Sequence, residues 1–288
     1  MVKPLKSAEV RPGAGRRGAY GGLFGIYDDL IAGIPSDMRV RQCVCGLHWT
    51  ALRSEVGIGL AMTLQEGPRG NEKAGMISGK RVREVAEWSK SWNTLEAAVG
   101  VAAINSWYNA PSTLENAVGS IDALVSETSV FAEIGPVIAG KKVSVIGHFP
   151  DLDQIASVCS LSILERRPCP GDLPDPACEF ILPQQDFVFM TAVTLINKTL
   201  PRLLDLSRNA RIVLVGPSVP LSPLFFDYGI SRLAGTVVCE NDMVFNHVME
   251  GGERTIFNHG AKRIRLDPGR FQEKRVTKGK SGKRKDMP

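Results

Sequence analysis

The chain has 288 residues, of which 43% are hydrophobic and 23% are charged. This ordinary globular composition excludes a wholly disordered, collagen-like or coiled-coil chain, and the length favours two domains over one small module. The formal net charge is +5, but residues 271–288 alone carry seven Lys or Arg against two acidic residues. Residues 1–270 are balanced and show no basic stripe of the kind that binds nucleic acid, so no specific nucleic-acid partner is expected.

The sequence gives no sign of a membrane or secretory segment. No run approaches the ~20 apolar residues of a spanning helix, and the first twenty residues are basic without an apolar core. The six cysteines form no C-x-x-C motif and are sparse for this length, which favours reduced thiols over a disulfide framework. These patterns predict a cytoplasmic protein without a membrane partner.

Both ends differ in composition from the rest of the chain. Residues 1–19 are rich in Gly, Pro and Arg, and residues 271–288 are rich in Lys, Gly and Ser, with no hydrophobic periodicity in either. Such segments bury too little apolar surface to offset the entropy of ordering, so both are predicted to be disordered tails without chemistry.

Residues 20–138 predict an α+β domain. Apolar residues at helical spacing indicate a helix over 23–34, after which we expect two strands and then helices over 81–88 and 95–108. Asn93 and Glu96 have capping-box spacing before the last helix, and Pro111 ends it. In the strand over 56–64, bulky residues alternate with Gly, Ala and Thr. One face of that strand is therefore nearly flat and allows another element to approach closely.

Residues 139–270 predict a doubly wound parallel sheet, so the fold class as a whole is α/β. Short apolar runs typical of strands buried on both faces alternate with helical segments. The strands are expected at 143–147, 161–164, 187–190, 212–216 and 236–239, and the helices at 151–158, 176–182, 199–207, 221–232 and 240–249. Asp175 is expected to cap the helix over 176–182. Gly135, Pro136 and Gly140 place the division between the domains near residues 135–140.

The loops that follow the predicted parallel strands contain the unusual residues of the second half. Such loops gather at one edge of an open sheet and form its ligand crevice. We therefore expect them to border one pocket facing the first domain. The ligand-binding candidates in these loops are Gly147, Phe149, Arg166, Asp172, Thr191, Thr194, Asn197, Gly216, Pro217 and Ser218, and His148 and Glu165 are the candidates for proton transfer.

The chemistry of this crevice leaves alternatives open. His148 could be a general base, a metal ligand or a satisfied loop histidine. Glu165 lies 18 residues after Gly147, near the spacing of a ribose-binding acid, but the turn holds only one glycine, so NAD or FAD is disfavoured. The hydroxyls and amides around Thr191 to Asn197 suit a phosphate or carboxylate, and helix capping explains them equally well.

Metal ligation is a weaker signal. Cys169 and Cys178 flank a turn and could meet over a metal. Cys43 and Cys45 share a strand face, but His48 has the opposite parity, which favours packed free thiols. Asn105 lies four residues before Asn109 on one helix face, where ligand contact and C-terminal capping both remain open.

Several motifs of the second half resemble a known family. In chain order they are residues 145–152 (VIGHFPDL), 165–172 (ERRPCPGD), 191–200 (TAVTLINKTL), 216–221 (GPSVPL) and 225–238 (FFDYGISRLAGTVV). They resemble the family described as "putative heavy-metal chelation", whose function is unknown and whose members pair an enolase N-terminal-like domain with a Rossmann-like one. The first half resembles the partner domain through residues 56–62 (VGIGLAM) and 102–109 (AAINSWYN).

This resemblance implies a site between the two domains, lined by the crevice loops and by Asn105. The crevice is richer in hydroxyls and amides than in soft ligands, which suits a phosphorylated, carboxylated or heterocyclic metabolite better than a bare metal. We therefore expect a small-ligand-binding protein or enzyme, whose ligand could also be a metal complex. The alternatives are a non-catalytic heavy-metal-handling protein and an interaction module with an empty crevice. A homo-oligomer is left open.

Overall fold

The structure is a computed structural model that describes residues 24–67 and 70–272. The predicted tail over 1–19 lies outside these residues, as does the tail over 271–288 beyond residue 272. Within the described residues, no helix has the length and apolar character needed to span a membrane.

The first half is built from helices on a small antiparallel sheet. Its elements are α1 (Gly25–Ala32), β1 (Val40–Cys45), β2 (Trp49–Ser54), β3 (Ile58–Met62), α2 (Val82–Ala86) with a 3-10 turn (Glu87–Lys90), α3 (Thr94–Tyr108), α4 (Pro111–Val118) and a second 3-10 turn (Asp122–Leu124). The sheet has the order β1-β2-β3. The first half thus contains three strands where two were expected.

Helix α3 begins at the predicted cap residue Asn93, although Glu96 accepts from Lys73 and Ser91 and does not complete the capping box. The side-chain oxygen of Asn93 accepts the N–H groups of Leu95 and Glu96 at 3.0 and 3.3 Å, which satisfies two donors that the first turn leaves open. The flat face of β3 lies against this helix: a Cβ placed on Gly59 would be 2.0 Å from the carbonyl oxygen of Ala102. A glycine at this position is therefore what lets the strand and the helix meet.

The second half alternates strands and helices. Its elements are β4 (Val125–Ser126), α5 (Val130–Ile138), β5 (Lys142–Ile146), α6 (Asp153–Ala156), β6 (Ser160–Glu165), β7 (Leu173–Pro174), α7 (Cys178–Ile181), β8 (Phe187–Thr191), α8 (Val193–Ile196), α9 (Leu200–Leu206), β9 (Arg211–Val215), α10 (Leu224–Asp227), β10 (Ile230–Val238), α11 (Asn241–Met249), β11 (Ala261–Leu266) and α12 (Gly269–Gln272), with 3-10 turns at Asp175–Ala177, Leu182–Gln184 and Arg254–Asn258.

These strands form one eight-stranded sheet in the order β4-β11-β10-β9-β8-β5-β6-β7. Strand β11 runs antiparallel to both β10 and β4, and the other neighbouring pairs are parallel. In chain order, the parallel strands β5, β6, β8, β9 and β10 have the arrangement 2-1-3-4-5, one of the common doubly wound orders. The predicted α/β class is confirmed.

Two local predictions in this half are wrong. The helix expected over 221–232 is only α10, because Gly229 adopts a φ of 89° and the chain then enters strand β10 at Ile230. Asp175 does not cap the following helix with its side chain, since the cap position is Pro174.

The division predicted near residues 135–140 stays a prediction and falls at the end of helix α5. Helix α5 continues through Pro136, and its residues Phe131 and Ile138 share a hydrophobic core with Val145 and Phe189 of the large sheet. Strand β4 likewise pairs with β11. By packing, residues 125–138 therefore belong to the second half.

The two halves share a continuous hydrophobic core. One cluster of buried residues includes α1, α2 and α3 together with one face of the large sheet. Hydrogen bonds of polar side chains also join the two halves. The buried side chain of Asn109 donates to the carbonyls of Val219 and Thr236 at 2.8 and 3.0 Å and accepts the N–H of Leu221 at 2.8 Å. Helix α3 is thus fixed to the loop after β9, one wall of the site described next.

Candidate functional site

A cavity of about 440 Å³ lies between the carboxyl edge of the large sheet and the loops of the small sheet. Loops after β5, β6, β8 and β9 contribute to it, together with the start of α5 and strand β11. Of the residues predicted from the sequence, it is lined by Gly147, His148, Phe149, Glu165, Arg166, Thr191, Thr194, Asn197, Gly216, Pro217 and Ser218. The structure therefore brings these residues together, and their roles in binding stay predictions.

The centre of the cavity is the point where the strand order reverses, between β5 and β8. Gly147 ends β5 with a φ of 97°, in the left-handed region. A Cβ on Gly147 would lie 3.0 Å from Cγ2 of Thr191. The two residues are this close because β5 and β8 pair with each other. Glycine thus permits both the turn and the close approach of the two loops at the switch point, where doubly wound folds bind ligands.

Glu165 braces the loops after β5 and β6. Its Oε2 accepts the N–H of His148 at 2.9 Å, and its Oε1 accepts the N–H groups of Arg166 and Arg167 at 2.7 and 3.3 Å. Both carboxylate oxygens are therefore engaged by backbone donors. Glu165 shapes the cavity wall, which leaves His148 as the better placed of the two proton-transfer candidates.

His148 is held by a buried carboxylate. Its Nδ1 lies 2.9 Å from Oδ2 of Asp172, whose side chain is 2% exposed, whereas the His148 side chain is 43% exposed. The same Asp172 oxygen accepts the N–H of Cys169 at 2.9 Å. One ligand atom each from His148, Cys169 and Asp172 lies within 4.8 Å of the others. This cluster at the cavity edge can orient an imidazole or hold a metal ion.

The polar residues after β8 mostly bond to their own loop. The Thr194 hydroxyl donates to the carbonyl of Thr191 at 2.6 Å. Asn197 accepts both the N–H and the hydroxyl of Thr199 at 3.2 and 2.7 Å. These are local turn bonds of the kind that Thr and Asn make, and none of them is a side-chain cap of α8 or α9. Local turn bonds therefore account for much of the pattern that also suited an anion.

Two arginines that the sequence analysis missed line the opposite wall. Arg263 and Arg265 lie two residues apart on β11, and both border the cavity. The Arg265 guanidinium forms an ion pair with Glu133 and donates to the carbonyls of Thr128 and Ser129 at 2.9 and 2.8 Å. The alternation of charged and apolar residues in β11 was the signal that would have found them.

The first half closes the cavity from the other side. Ser218 accepts the backbone N–H of Met62 at 2.9 Å, and Trp49 donates from its indole to the carbonyl of Glu253 at 2.8 Å. Arg166 lies 3.7 Å from Glu66 of the first half. Hydrogen bonds and ion pairs at the rim thus join the two halves around the cavity.

Two predicted site residues lie elsewhere. Asn105 is fully buried within the fold, where its amide donates to the carbonyls of Leu60 and Ser218 at 2.7 and 3.1 Å. Cys178 is buried in the shared core, and burial raises the pKa of its thiol to about 12. Cys178 therefore does not meet Cys169, and the metal-type cluster recruits His148 and Asp172 instead. Asp172 contacts His148 from behind the cavity wall.

The thiols of Cys43 and Cys45 lie outside this site. They hydrogen-bond to each other, and this bond, together with burial, raises the pKa of Cys43. His48 lies in the turn after β1 and borders the cavity, away from the strand face that the two thiols share.

The fold and the cavity together define a class: a two-part α/β protein with a cleft between a small antiparallel sheet and the switch point of a doubly wound sheet. Comparisons with known proteins agree. Family models named DUF364 and DUF4213, both described as "putative heavy-metal chelation", match residues 130–267 and 27–108.

Two solved structures are similar to this protein over most of the chain. A crystal structure of a DUF364 protein of unknown function from Desulfitobacterium hafniense DCB-2 is 39% identical, with a TM-score of 0.78. The alignment covers 85% of this chain and 99% of that one. A DUF364 protein of unknown function from Pyrococcus horikoshii has the same fold at 22% identity, with the same coverage and a TM-score of 0.71. The chain belongs to the DUF364 family.

A third relative is itself described as uncharacterized. An uncharacterized protein of Methanocaldococcus jannaschii is 26% identical over 220 residues, which are 73% of this chain and 81% of its own length.

Proposed function

We propose that this protein binds a small anionic or heterocyclic metabolite in the cleft between its two halves. The observation that carries the proposal is the convergence of four strand-end loops, the start of α5 and strand β11 on one cavity of about 440 Å³. Ligand cavities are typically of this size and have a few convergent polar groups on apolar walls.

The walls of the cleft match such a ligand. Phe131, Phe149 and Phe257 border the cavity and offer apolar surface to a ring. Arg166 and Arg263 offer donors to negatively charged or carbonyl oxygens. A molecule with a ring and an acidic group would use both kinds of wall.

If the bound molecule reacts, His148 is the residue placed to move a proton. Asp172 accepts from Nδ1 and so leaves Nε2 unprotonated in the neutral ring, as a general base requires. Glu165, whose two oxygens accept backbone N–H groups, would orient the loop that carries this histidine.

Metal handling is the second candidate function, favoured by the cluster of His148, Cys169 and Asp172. Nitrogen, sulfur and oxygen donors with room for a further ligand suit a borderline metal such as Zn²⁺. A soft heavy metal prefers several thiolates, and Cys178, the other thiol predicted for this site, is buried elsewhere. A bound metal would supply a Lewis acid beside the cleft. The residues therefore fit a zinc-type ion better than a soft one.

Native mass spectrometry of the purified chain, before and after denaturation, tests both functions. Retention of an organic mass supports metabolite binding, and a stoichiometric transition metal supports metal handling.

Cobalt titration then separates a specific metal from an adventitious one. A Co²⁺–thiolate absorption band that is lost in Cys169→Ser but kept in Cys45→Ser would place the ion at the cluster. If native mass spectrometry finds no organic mass and no stoichiometric metal, that result contradicts both candidate functions.

A further inference from the structure

Arg263 and Arg265 form a natural pair for comparison. They lie on the same face of β11, because side chains two residues apart in a strand point the same way. Arg265 is fully committed to Glu133 and to the carbonyls before α5. Among the described residues, the structure gives the Arg263 side chain no hydrogen bond and no ion pair. Arg265 thus stabilises the cavity wall, whereas Arg263 is available to a ligand.

The ring of Phe257 holds Arg263 in place. The guanidinium carbon lies 3.7 Å from the ring centroid, a cation–π contact. The ring offers no oxygen acceptor, so the N–H donors of the guanidinium are still available to an acid group. The side chain is therefore ordered in advance, which lowers the entropy lost when an anion binds.

Among the residues that the structure describes, no carboxylate is in ion-pair contact with Arg263. Burial lowers its pKa, against the raising effect of Asp151 and Glu127 at longer range. Arg263 thus borders the cavity with unused hydrogen-bonding capacity.

We propose that Arg263 is the anion-recognising residue of the cleft and that the ligand presents a carboxylate or a phosphate group to it. This inference rests on the function proposed above and assigns the ligand an orientation. The acidic group lies against β11 and α5, and the rest of the molecule extends toward the switch point and His148. The planar guanidinium fork matches the paired oxygens of both kinds of acid.

Binding of three probes tests this role of Arg263: benzoate, inorganic phosphate and benzamide, the neutral counterpart of benzoate. Calorimetry would measure each on the wild type, Arg263→Gln, Arg263→Lys and Lys262→Gln. Lys262 is the matched control, because it is exposed, pairs with Asp122 and carries one charge on the same strand. Arg263→Lys keeps the charge without the fork and serves if the glutamine variant does not fold.

We expect the wild type and Lys262→Gln to bind at least one acid about tenfold or more tightly than benzamide, the factor that a charged hydrogen bond supplies. Arg263→Gln should lose this preference while its benzamide affinity stays the same. Arg263→Lys should lose part of it. Whether benzoate or phosphate is preferred decides between the two acids.

A preference that survives in both Arg263 variants, or a wild type that binds benzamide as tightly as the acids, would overturn this role of Arg263 and leave cleft binding intact. Failure of all three probes on the wild type, with no organic mass retained by the native protein, would overturn the proposed function itself.

Discussion

Nδ1 of His148 lies 2.9 Å from Oδ2 of Asp172, although the two residues are 24 positions apart and follow different strands. The carboxylate is almost fully buried and also accepts the N–H of Cys169. A buried acid behind an exposed imidazole fixes which ring nitrogen carries the proton. Asp172, in the loop after β6, thereby determines which nitrogen of His148, in the loop after β5, carries the proton.

Replacement of Asp172 should remove its control over the tautomer of His148. In Asp172→Ala we expect metal-free protein to lose the Nδ1-protonated form as its dominant neutral tautomer at His148. Long-range ¹⁵N–¹H correlation spectra report the tautomer directly. The control is Asp153→Ala, an exposed aspartate on α6. An unchanged tautomer in Asp172→Ala would show that Asp172 does not set it.

Glycine at position 59 should be indispensable for the packing of the small sheet on α3. A Cβ there would meet backbone atoms at 2.0 and 2.2 Å, so Gly59→Ala must push β3 and α3 apart. We expect a loss of about 2 kcal/mol or more in the free energy of unfolding. Gly269→Ala, with no atom within 4 Å of the new Cβ, should change it by less than about 0.5 kcal/mol. Urea denaturation measures both, and equal effects would contradict the close approach.

Asn109 should be a main polar link between the halves. Asn109→Ala leaves two buried carbonyls and one buried N–H without their partner, for which we expect a loss of about 3 kcal/mol in the free energy of unfolding. Asn246→Ala, an exposed change on α11, should cost less than about 0.5 kcal/mol. A small effect of Asn109→Ala in urea denaturation would mean that the core alone joins the halves.

Stability should depend on pH through Lys198. Burial lowers the pKa of its ammonium from the usual 10.5 to about 8. Between these values the unfolded chain binds the proton and the folded chain does not, so this group makes stability rise with pH from about 8 to about 10.5. Below about 8 the lysine is charged in both states and contributes no slope.

Lys198→Met should therefore reduce the slope of stability against pH in that window. Urea midpoints of the wild type and the variant at pH 7, 8, 9 and 10 measure the difference. Parallel curves across the whole range would show that Lys198 titrates normally in the folded protein.

The sequence was sufficient for the parts of the site that follow from strand direction. Parallel strands send their following loops to one edge, so the residues from Gly147 to Ser218 could be grouped without coordinates. Asn93 could be placed as a helix cap because capping depends on three neighbouring residues only. Local spacing and sheet direction carry this kind of information.

Other features depend on contacts that spacing does not encode. Asn105 was expected at the ligand, yet its amide faces the carbonyls of Leu60 in β3 and Ser218 in the loop after β9. Arg263 was missed, although charged and apolar residues alternate over 263–266, because β11 follows an irregular segment and does not continue the alternation of parallel strands and helices. The separation of Cys178 from Cys169 follows from the burial of the Cys178 side chain in the shared core, which no count of intervening residues reveals.

The most direct test of the central claim is to block the cleft from the side of the first half. Met62 borders the cavity and is 39% exposed, so Met62→Trp adds bulk there without disturbing the core. Met76→Trp adds the same bulk at an exposed position outside the cavity. Each protein is incubated with the small-molecule fraction of a cell extract and examined by native mass spectrometry. We predict that the wild type and Met76→Trp retain a small organic mass that Met62→Trp does not. Equal retention by all three proteins, or no retained mass in the wild type, would contradict a ligand site in this cleft.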